Sequence, residues 1–476
     1  MGSSLQSQSH SVDHARSVRL VPLNLTDAGN AEAFTILHGE RFRYDHSRGK
    51  WLVWNGRYWA ADENGEADRA ALDTARKRLM AAMLIIDTDD RQDAAEWSLH
   101  SESTYARRAM LTSAQSIETL ATTAADYDRD PFLFTVKNGT IHLRSGELRE
   151  CSPGDLITRA SQVDYLAGAQ CPRWMRFLEE IFLGDEELIK FVQRAAGYTF
   201  TGDTREQCLF VLYGGGANGK STFLEIMLKL VGTHGAITSF STFLVHQNPG
   251  TPRNDVAKLH GARLVKAAES QKQAALDEAT VKEVTGGDTI SARFLFREFF
   301  DFRPQFKIWL TTNHRPTISG TDDAIWRRIR LIPFNQQFAG KHRDSRLREK
   351  LEAELSGILA WAVRGCLEWQ RIGLGNAPAV ESATLQYRRD SDHFGRFLNE
   401  RCTDRPGDQA SGQELFDAYV QWCVNTGEKP ESNNIFAKAL ADRAMQKKRT
   451  RKGTMYTGVG LRPQIKLPKL PQDNSP

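Results

Sequence analysis

The sequence predicts an α/β fold: a parallel sheet with a nucleotide-binding loop, between an N-terminal α+β domain and a C-terminal winged-helix-like domain. The first observation is an apolar run at 209–212 that meets three consecutive glycines and continues into an amphipathic stretch. The second is a pair of later apolar runs, within 261–270 and 306–316, that each end in polar residues. Such short apolar runs are typical of buried parallel strands. The third is a pair of helical segments and a basic hairpin within 411–462.

The composition is that of an ordinary globular protein. Of 476 residues, 40% are hydrophobic and 26% are charged. The chain contains no run of about 18 apolar residues, so we expect no membrane helix. The polar N-terminus lacks the apolar core of a secretory signal, so we expect a cytoplasmic protein. Six scattered cysteines form no C-x-x-C pair, which argues against zinc and a disulfide framework. Because the net charge is only +4, any nucleic-acid surface must be local.

Changes in pattern divide the chain into segments. We expect a disordered tail over 1–30, an α+β domain over 31–170, the nucleotide-binding core over 171–342, a helical lid and linker over 343–379, a winged-helix-like domain over 380–462 and a disordered Pro-rich tail over 463–476. Alternation over 34–62 predicts a β-meander, and 68–127 is helix-forming. The stretch 132–150 predicts two short strands around Asn138 and Gly139.

The glycine-rich stretch matches the eight-residue P-loop pattern, Gly214-x-x-x-x-Gly219-Lys220-Ser221. Glycines let the backbone curl so that its amides point at phosphate, and the following helix adds its positive dipole end. We expect Lys220 to reach the β- and γ-phosphates of ATP and Ser221 to ligate Mg²⁺. The residues predicted to bind the nucleotide are Gly214, Gly215, Gly216, Ala217, Asn218, Gly219, Lys220, Ser221 and Thr222.

The next two apolar runs predict further catalytic groups. The run "GARLVKAAES" ends in Glu269, which we assign both to the Mg²⁺ ion and to the attacking water. The run "FKIWLTTNHRP" ends in Asn313, a neutral side chain able to hydrogen-bond the γ-phosphate and the water. In "DDAIWRRIRLIPF", the adjacent Arg327 and Arg328 are candidates for an arginine finger, which stabilises transition-state charge and is often donated across a subunit boundary.

In this order, the P-loop, the glutamate strand, "KEVTGGDTISARFLF", "TTNHRP" and "DDAIWRRIRLIPF" resemble the superfamily III helicases. Among these, the chain is similar to the helicase half of phage and plasmid primase-helicases, which are related to the poxvirus primase-helicase. "NGTIHLRSGELR" and "AAGYTFTGDTREQ" match the region before the P-loop domain, and the resemblance spans roughly 34–462.

The resemblance implies an AAA+-like core that assembles into homo-hexameric rings around single-stranded DNA and moves 3′ to 5′. It makes Glu269 the Walker B acid, Asn313 the sensor, and Arg327 or Arg328 the finger. The family often has two acids at Walker B, whereas this chain has Ala268 before Glu269. The resemblance also implies a role in the replication of a phage, plasmid or integrated element in the cytoplasm of a bacterial host.

Within this resemblance, "DTISARFLFREFFDFRPQFKI" predicts a β-hairpin that projects into the ring channel. Its candidate DNA contacts are basic side chains for phosphates and an aromatic for base stacking: Lys282, Arg293, Arg297 and Phe296, with Phe299 as the alternative aromatic. We expect Phe300 and Phe302 to be core residues. In the C-terminal domain, the densest basic patch of the chain is predicted to attract the phosphates of an origin or fork duplex: Lys447, Lys448, Arg449, Arg451 and Lys452.

Other functional classes remain as alternatives. The chain contains no paired catalytic acids on a strand and no zinc-finger spacing, so we expect no primase activity in it and a separate primase or polymerase as partner. The partners expected are therefore single-stranded and forked DNA, further copies of the chain and that primase, with no membrane. An ATP-dependent origin-binding initiator without processive unwinding is the main alternative. A packaging motor is weakened because no nuclease-like cluster of acids is visible.

Overall fold

The computed structural model describes residues 16–245, 254–268, 275–293, 298–318, 322–338, 344–443, 445–450 and 453–463. Short strands and helices make up its N-terminal third. In chain order they are α1 (Asp27–His38), β1 (Phe42–Asp45), β2 (Lys50–Trp54), β3 (Trp59–Ala61), α2 (Glu66–Ala82), α3 (Thr88–His100), α4 (Thr104–Ala114), β4 (Ala121–Thr122), β5 (Leu133–Val136), β6 (Gly139–His142) and β7 (Glu147–Arg149).

Helix α1 begins inside the predicted N-terminal tail. Thr26 caps it, because its hydroxyl accepts a hydrogen bond from the Gly29 amide at 3.1 Å. Leu20, further towards the N-terminus, is buried in a small apolar cluster with Ala33 and Ala81. Part of 16–30 is therefore packed structure, in contrast to the predicted tail. The predicted β-meander starts later than expected, at Phe42, and the strands around Gly139 form as predicted.

The middle of the chain contains the longest described helix and the largest sheet. Its elements are α5 (Pro172–Ile181), α6 (Glu186–Phe200), β8 (Leu209–Tyr213), α7 (Lys220–Val231), β9 (Gly235–Ser239), α8 (Asn254–Ala257), β10 (Leu264–Ala268), α9 (Glu278–Gly286), β11 (Ile290–Arg293), β12 (Phe299–Phe302), β13 (Lys307–Thr312), α10 (Asp323–Trp326), β14 (Ile329–Pro333), α11 (Leu347–Glu352), α12 (Leu355–Ile372) and α13 (Pro378–Ser391).

Strands β14, β8, β13, β10 and β9 form one sheet in that order, and every neighbouring pair is parallel. The predicted parallel α/β core is therefore confirmed, and its sheet is consistent with a P-loop protein. The three apolar runs of the sequence are β8, β10 and β13. Because β13 lies between β8 and β10, the residues that follow β13 are next to the P-loop at the carboxyl edge of the sheet.

The sheet packs against residues from the predicted N-terminal domain, so the predicted boundary at 170 does not separate two cores. Phe132 and Phe134 belong to the same apolar cluster as Phe210 and Trp309 of the sheet. The fully buried guanidinium of Arg263 donates to the carbonyl of Leu133 at 2.8 Å and to that of Phe200, at the end of α6, at 2.6 Å. A cation that bridges two segments in this way cannot be found from local pattern.

The predicted boundary between linker and C-terminal domain is crossed by α13. Its Tyr387 is 2% exposed and belongs to the apolar cluster on one side of the sheet. The Thr384 hydroxyl accepts a hydrogen bond at 3.2 Å from the amide of Leu331, on the edge strand β14. Helix α13 therefore covers the edge of the sheet, and the separate C-terminal cluster begins at Phe394.

The C-terminal module contains α14 (His393–Arg401), β15 (Cys402–Thr403), β16 (Gln409–Ser411), α15 (Gly412–Thr426), α16 (Asn433–Asp442), β17 (Gln446–Thr450), β18 (Gly453–Thr457) and β19 (Gly460–Leu461). Both predicted helices are present, and Ser432 caps α16 by accepting from the Ile435 amide. Strands β16, β18 and β17 form an antiparallel sheet in that order, and every residue of β17 is exposed. In the described part of the chain, no helix is long and apolar enough to cross a bilayer.

Candidate functional site

The loop between β8 and α7 has a backbone that requires glycine at its two ends. Gly214 has φ +154° and Gly219 has φ +90°. A Cβ atom on Gly214 would lie 2.2 Å from the carbonyl oxygen of Phe334, and one on Gly219 would lie 2.6 Å from Cγ2 of Ile181. Ala217 also has a left-handed backbone, with φ +55°. The predicted glycine pattern is thus explained by close packing behind the loop.

The segment after β14 holds the loop from outside. The Phe334 amide donates to the Tyr213 carbonyl at 2.7 Å, and the Phe338 amide donates to the Ala217 carbonyl at 2.8 Å. The Asn218 side chain, 3% exposed as a residue, donates to the Phe334 carbonyl at 3.2 Å. Asn218, predicted as a nucleotide contact, therefore uses its side-chain amide to fix the loop, which leaves its backbone amide to serve a ligand.

Lys220 lies at the centre of this loop. Its Nζ donates to the carbonyl oxygens of Gly214 (2.6 Å) and Gly215 (3.0 Å) and to the side-chain oxygens of Asn218 (3.1 Å) and Asn313 (3.2 Å). These four partners are neutral, and burial lowers the pKa of the amine to about 8. Helix α7 begins after Gly219 without a side-chain cap. A cation among neutral oxygens beside uncapped amides fits an anionic ligand such as a nucleotide's phosphates.

A Mg²⁺ ion would have few protein ligands in the described part of this site. Ser221 is exposed in the first turn of α7, next to the partly exposed Thr222, and Ser221 is the candidate hydroxyl ligand. Among the described residues, no group of three or more His, Cys, Asp or Glu side chains could hold a metal. Mg²⁺ is commonly bound by one or two protein oxygens, substrate phosphates and waters. The residues present fit that mode.

Asn313 and Glu269, two of the catalytic residues predicted beyond the P-loop, differ in what the structure describes. Asn313 follows β13, whose last residue, Thr312, is paired in register with Tyr213 at the end of β8. This pairing brings the Asn313 amide oxygen to 3.2 Å from Lys220 Nζ, and the predicted contact of Asn313 with the γ-phosphate and the water stays a prediction. Glu269 lies outside the described residues. Strand β10 ends at the exposed Ala268, one strand beyond β13, so the assignment of Glu269 stays a prediction.

The two candidate finger arginines have different environments. Arg327 is exposed at the end of α10. Arg328 is 7% exposed, and its guanidinium donates to the Ala324 carbonyl at 2.6 Å and to the Thr285 hydroxyl at 3.2 Å. Burial lowers the pKa of Arg328. Because the Arg328 guanidinium is held by groups of its own chain, this geometry favours Arg327 over Arg328 as the finger candidate.

Strands β11 and β12 form the predicted hairpin, with Arg293 paired in register with Phe299. Phe299 is 61% exposed, and the Arg293 guanidinium lies 4.7 Å from its ring. Phe302 is buried and Phe300 packs on the same cluster, as expected for core residues. Phe296 and Arg297, at the predicted tip, lie outside the described residues. Lys282 lies on α9, where it pairs with Asp322 at 2.9 Å, so its charge is already offset.

The predicted basic patch of the C-terminal module lies on β17. Lys447, Lys448 and Arg449 are exposed on this strand, at the edge of its three-stranded sheet. Arg451 and Lys452 lie outside the described residues. Because neighbouring side chains of a strand point to opposite faces, these three charges are displayed on both sides of the hairpin.

One group beside the P-loop is not among the predicted site residues. The Arg315 guanidinium lies 4.5 Å from the ring of Tyr213, immediately before Gly214, and its Nη1 is 2.6 Å from a carboxylate oxygen of Asp390 on α13. The available sequence signal was the cation two residues after Asn313. Its carboxylate partner lies 75 residues away and could not be inferred from spacing.

Comparison with known proteins gives two family models that match consecutive parts of the chain. The family model "D5 N terminal like" matches residues 31–183, and a family of unknown function (DUF5906) matches 212–328. "Putative helicase L207/L206" of Acanthamoeba polyphaga mimivirus is 26% identical over 337 residues, covering 65% of this chain and 35% of that protein. "Putative helicase 022R" of Frog virus 3 is 24% identical over 379 residues, covering 62% and 39%.

The predicted resemblance to the D5-type primase-helicases is thereby confirmed. The chain spans little more than a third of the length of these curated relatives. Among solved structures, the apo A form of the NrS-1 C-terminal region is similar in fold, with a TM-score of 0.51 and 8% sequence identity. The match covers 90% of this chain and 98% of that one.

Proposed function

Since this chain is related to the D5-type primase-helicases, we propose that it is an ATP-dependent DNA helicase that forms rings and moves along single-stranded DNA. The contact between Lys220 and Asn313 carries the proposal. It places a cation and a neutral amide oxygen 3.2 Å apart at the carboxyl edge of the sheet, where both can face the γ-phosphate. Catalysis of phosphoryl transfer is mostly positioning and charge stabilisation, which this pair supplies.

In this proposal Lys220 binds the phosphates, Ser221 ligates Mg²⁺, and the resemblance assigns Glu269 to the metal and the attacking water. When bound, Mg²⁺ would offset charge on the phosphates. Asn313 orients the water, and Arg327 reaches the neighbouring subunit's nucleotide. The exposed Phe299 and the partly exposed Arg293 beside it support a channel hairpin that grips DNA through phosphate attraction and base stacking.

The resemblance further supports movement from 3′ to 5′ and a homo-hexameric ring. It also supports replication of a phage, plasmid or integrated element in the cytoplasm of its bacterial host. A separate primase or polymerase is a proposed partner, because the family that the chain resembles combines helicase and primase activities.

The direct test measures ATP hydrolysis and unwinding of a forked duplex by the full chain, with forks of both polarities. We expect hydrolysis stimulated by single-stranded DNA, and unwinding only of the fork with a 3′ loading strand. Lys220→Ala is expected to abolish both activities, because the phosphates lose the loop's cation. Near-normal ATP turnover by Lys220→Ala would overturn the assignment of the nucleotide site.

Glu269 needs its own test. We expect Glu269→Gln to bind ATP normally and to hydrolyse it about 10²–10⁴-fold more slowly, which is the typical cost of losing a general base. Hydrolysis within about threefold of wild type would assign the base elsewhere. The first acid after Glu269 in the sequence is Asp277. Its carboxylate caps α9, because it accepts hydrogen bonds from the Thr280 amide and hydroxyl. Glu283 would then be the next candidate to test.

The exposed basic strand β17 favours a second candidate function, an origin-binding initiator that uses ATP to assemble without processive unwinding. Replacing Arg293 and Phe299 by alanine separates the two. A helicase should lose unwinding and keep duplex binding through β17. An initiator should keep both its duplex binding and its ATP-dependent assembly, with no unwinding to lose even in the wild type.

A further inference from the structure

The loop that carries Asn313 is held at several points. At its start, the Thr312 hydroxyl accepts a hydrogen bond at 3.0 Å from the amide of His314. Two residues after Asn313, Arg315 folds back so that its guanidinium lies over the ring of Tyr213, at 4.5 Å. Since Tyr213 directly precedes Gly214, this stacking joins the Asn313 loop to the root of the P-loop.

Helix α13 packs against the other side of Arg315. Nη1 of Arg315 pairs with Asp390 at 2.6 Å, and its guanidinium lies 5.7 Å from the ring of Tyr387. The Tyr387 hydroxyl donates to the carbonyl oxygen of Pro316. Arg315 is therefore enclosed by two aromatic rings and a carboxylate, and its side chain remains only 20% exposed.

Helix α13 also contacts the segment that carries the proposed finger. Arg388 pairs with Asp323 of α10 at 2.6 Å, and the ring of Tyr387 meets that of Trp326 edge-on at 5.2 Å. Arg327 is the residue after Trp326. One helix therefore contacts both the Asn313 loop and the segment immediately before Arg327.

The same helix leads directly into the C-terminal module. Asp392 follows α13 and caps α14 by accepting from the Gly395 amide at 2.8 Å. Its carboxylate also pairs with Arg443, after α16. A displacement of the module would therefore be transmitted to α13 through a short, hydrogen-bonded connection.

We propose that Arg315 is a positioning residue for ATP hydrolysis, and that through it α13 sets the place of Asn313 according to the state of the C-terminal module. This inference rests on the proposed ATPase site. Arg315 contacts neither the reacting atoms nor Lys220; it acts by fixing the turn that presents Asn313. Because α13 is fixed to the module, duplex DNA bound there is expected to change the turnover rate rather than the affinity for ATP.

The chemistry of the junction calls for arginine in particular. A planar guanidinium can stack on Tyr213 and Tyr387 while it donates to Asp390, whereas an ammonium group presents no plane. Arg315→Lys keeps the charge and removes the stacking. Tyr387→Phe keeps the ring and removes the hydroxyl that holds Pro316. The two variants therefore release the loop at different points, without a deletion in the apolar core.

The experiment measures kcat and KM for ATP with and without forked DNA in the full chain, for wild type, Arg315→Ala, Arg315→Lys and Tyr387→Phe. A misplacement of about 1 Å can cost roughly 10²-fold in rate. We therefore expect Arg315→Ala to lower kcat by about 10–100-fold, with KM and the affinity for a fluorescent ATP analogue unchanged and DNA stimulation lost. Arg315→Lys and Tyr387→Phe should also lower kcat while KM stays unchanged, but by a smaller factor. Arg389→Gln, an exposed charge on the same helix, is the matched control.

A wild-type kcat with normal DNA stimulation in both Arg315→Lys and Tyr387→Phe would overturn the inference. So would a loss of ATP affinity that accounts for the whole effect, because a structural role in the P-loop would produce it. If the wild-type chain itself does not hydrolyse ATP, the proposed function fails first. Hydrolysis that depends on Lys220 and is indifferent to Arg315 leaves the proposed function standing and refutes only this inference.

Discussion

Lys220 shows how a single residue can be prepared for its ligand. Its Nζ is surrounded by two carbonyl oxygens and two side-chain amide oxygens at 2.6–3.2 Å, and burial lowers the pKa of the amine to about 8. The neutral oxygens hold the amine without neutralising its charge. Binding of the phosphates would supply the negative charge that this position lacks, and would raise the pKa again.

This shift predicts a pH dependence of ATP binding. Below the apo pKa of about 8 the amine is already charged, so the affinity should be flat. Above it, binding must take up one proton, and the affinity should fall about tenfold per pH unit until the pKa of the complex is reached. The measurement is titration of a non-hydrolysable ATP analogue between about pH 7.5 and 9.5, where terminal phosphates are already ionised.

Lys220→Arg is the control for this titration, because a guanidinium stays charged over the whole range. Its affinity should be lower overall and independent of pH. A flat profile for the wild type, or a slope shared by the arginine variant, would contradict a titrating Lys220.

The two neighbouring arginines should separate into a structural and a functional residue. Arg328→Ala leaves the Thr285 hydroxyl and the Ala324 carbonyl without their donor, which typically costs about 1–3 kcal/mol. Arg327→Ala, at an exposed position, should change the free energy of unfolding by no more than about 0.5 kcal/mol. The measurement is the thermal midpoint together with ATP turnover. Arg328→Ala should lower the midpoint, and Arg327→Ala should lower only turnover. The reverse pattern would make Arg328 the finger.

At the scale of elements, the C-terminal hairpin should supply the non-specific part of DNA affinity. Replacing Lys447, Lys448 and Arg449 by alanine removes three exposed charges from β17. If each contacts a phosphate, the slope of log affinity against log salt for duplex DNA should become shallower by about 2.7, since each contact contributes about 0.9. The measurement is fluorescence anisotropy over a range of salt concentrations.

A charge-matched control for this experiment is available in the N-terminal part. Arg41 and Arg76 are exposed and Lys77 is partly exposed, and each lies within 3.5 Å of a carboxylate oxygen. Their triple replacement should leave the salt slope unchanged. Equal effects of the two triple variants would mean that net charge, rather than the hairpin, controls the affinity.

Helix α13 illustrates what a pattern in the sequence cannot assign. The predicted break at "GLGNAPA" starts where α12 ends, and α13 begins within the last two residues of that stretch. The domain to which α13 belongs is decided by Tyr387 and Thr384, whose partners Pro316 and Leu331 lie 71 and 53 residues away. Composition near the break is the same whichever way the helix packs, so pattern alone cannot assign α13 to a domain, and the boundary at 379 stays a prediction.

At the scale of the whole molecule, the proposed ring makes hydrolysis a property of two subunits. The Arg327→Ala protein has an intact P-loop but lacks the arginine finger. The Lys220→Ala protein has an intact finger but an inactive P-loop. Mixing them should restore hydrolysis where an intact P-loop meets an intact finger. The gain should be large, because a finger is typically worth about 10³–10⁵ in rate.

The assay is the ATPase rate against mixing ratio, at fixed total protein with single-stranded DNA present. We expect a maximum at intermediate ratios and the floor rate for each variant alone. A rate that stays at the floor in mixtures shown to co-assemble would mean that Arg327 acts within its own subunit or has no part in hydrolysis.

The sequence by itself determined the parallel core, the P-loop pattern and the resemblance to the primase-helicases, because each depends on residues that are neighbours in the chain. A strand, a glycine turn and a helix are adjacent in sequence, so the cradle around Lys220 is predictable from pattern. Tertiary structure decided which groups meet across the sheet edge. Lys220 and Asn313 are 93 residues apart, and Arg315 and Asp390 are 75 apart. It also separated Arg327 from Arg328, since burial depends on what packs against a side chain and adjacent identical residues carry no local signal of that difference.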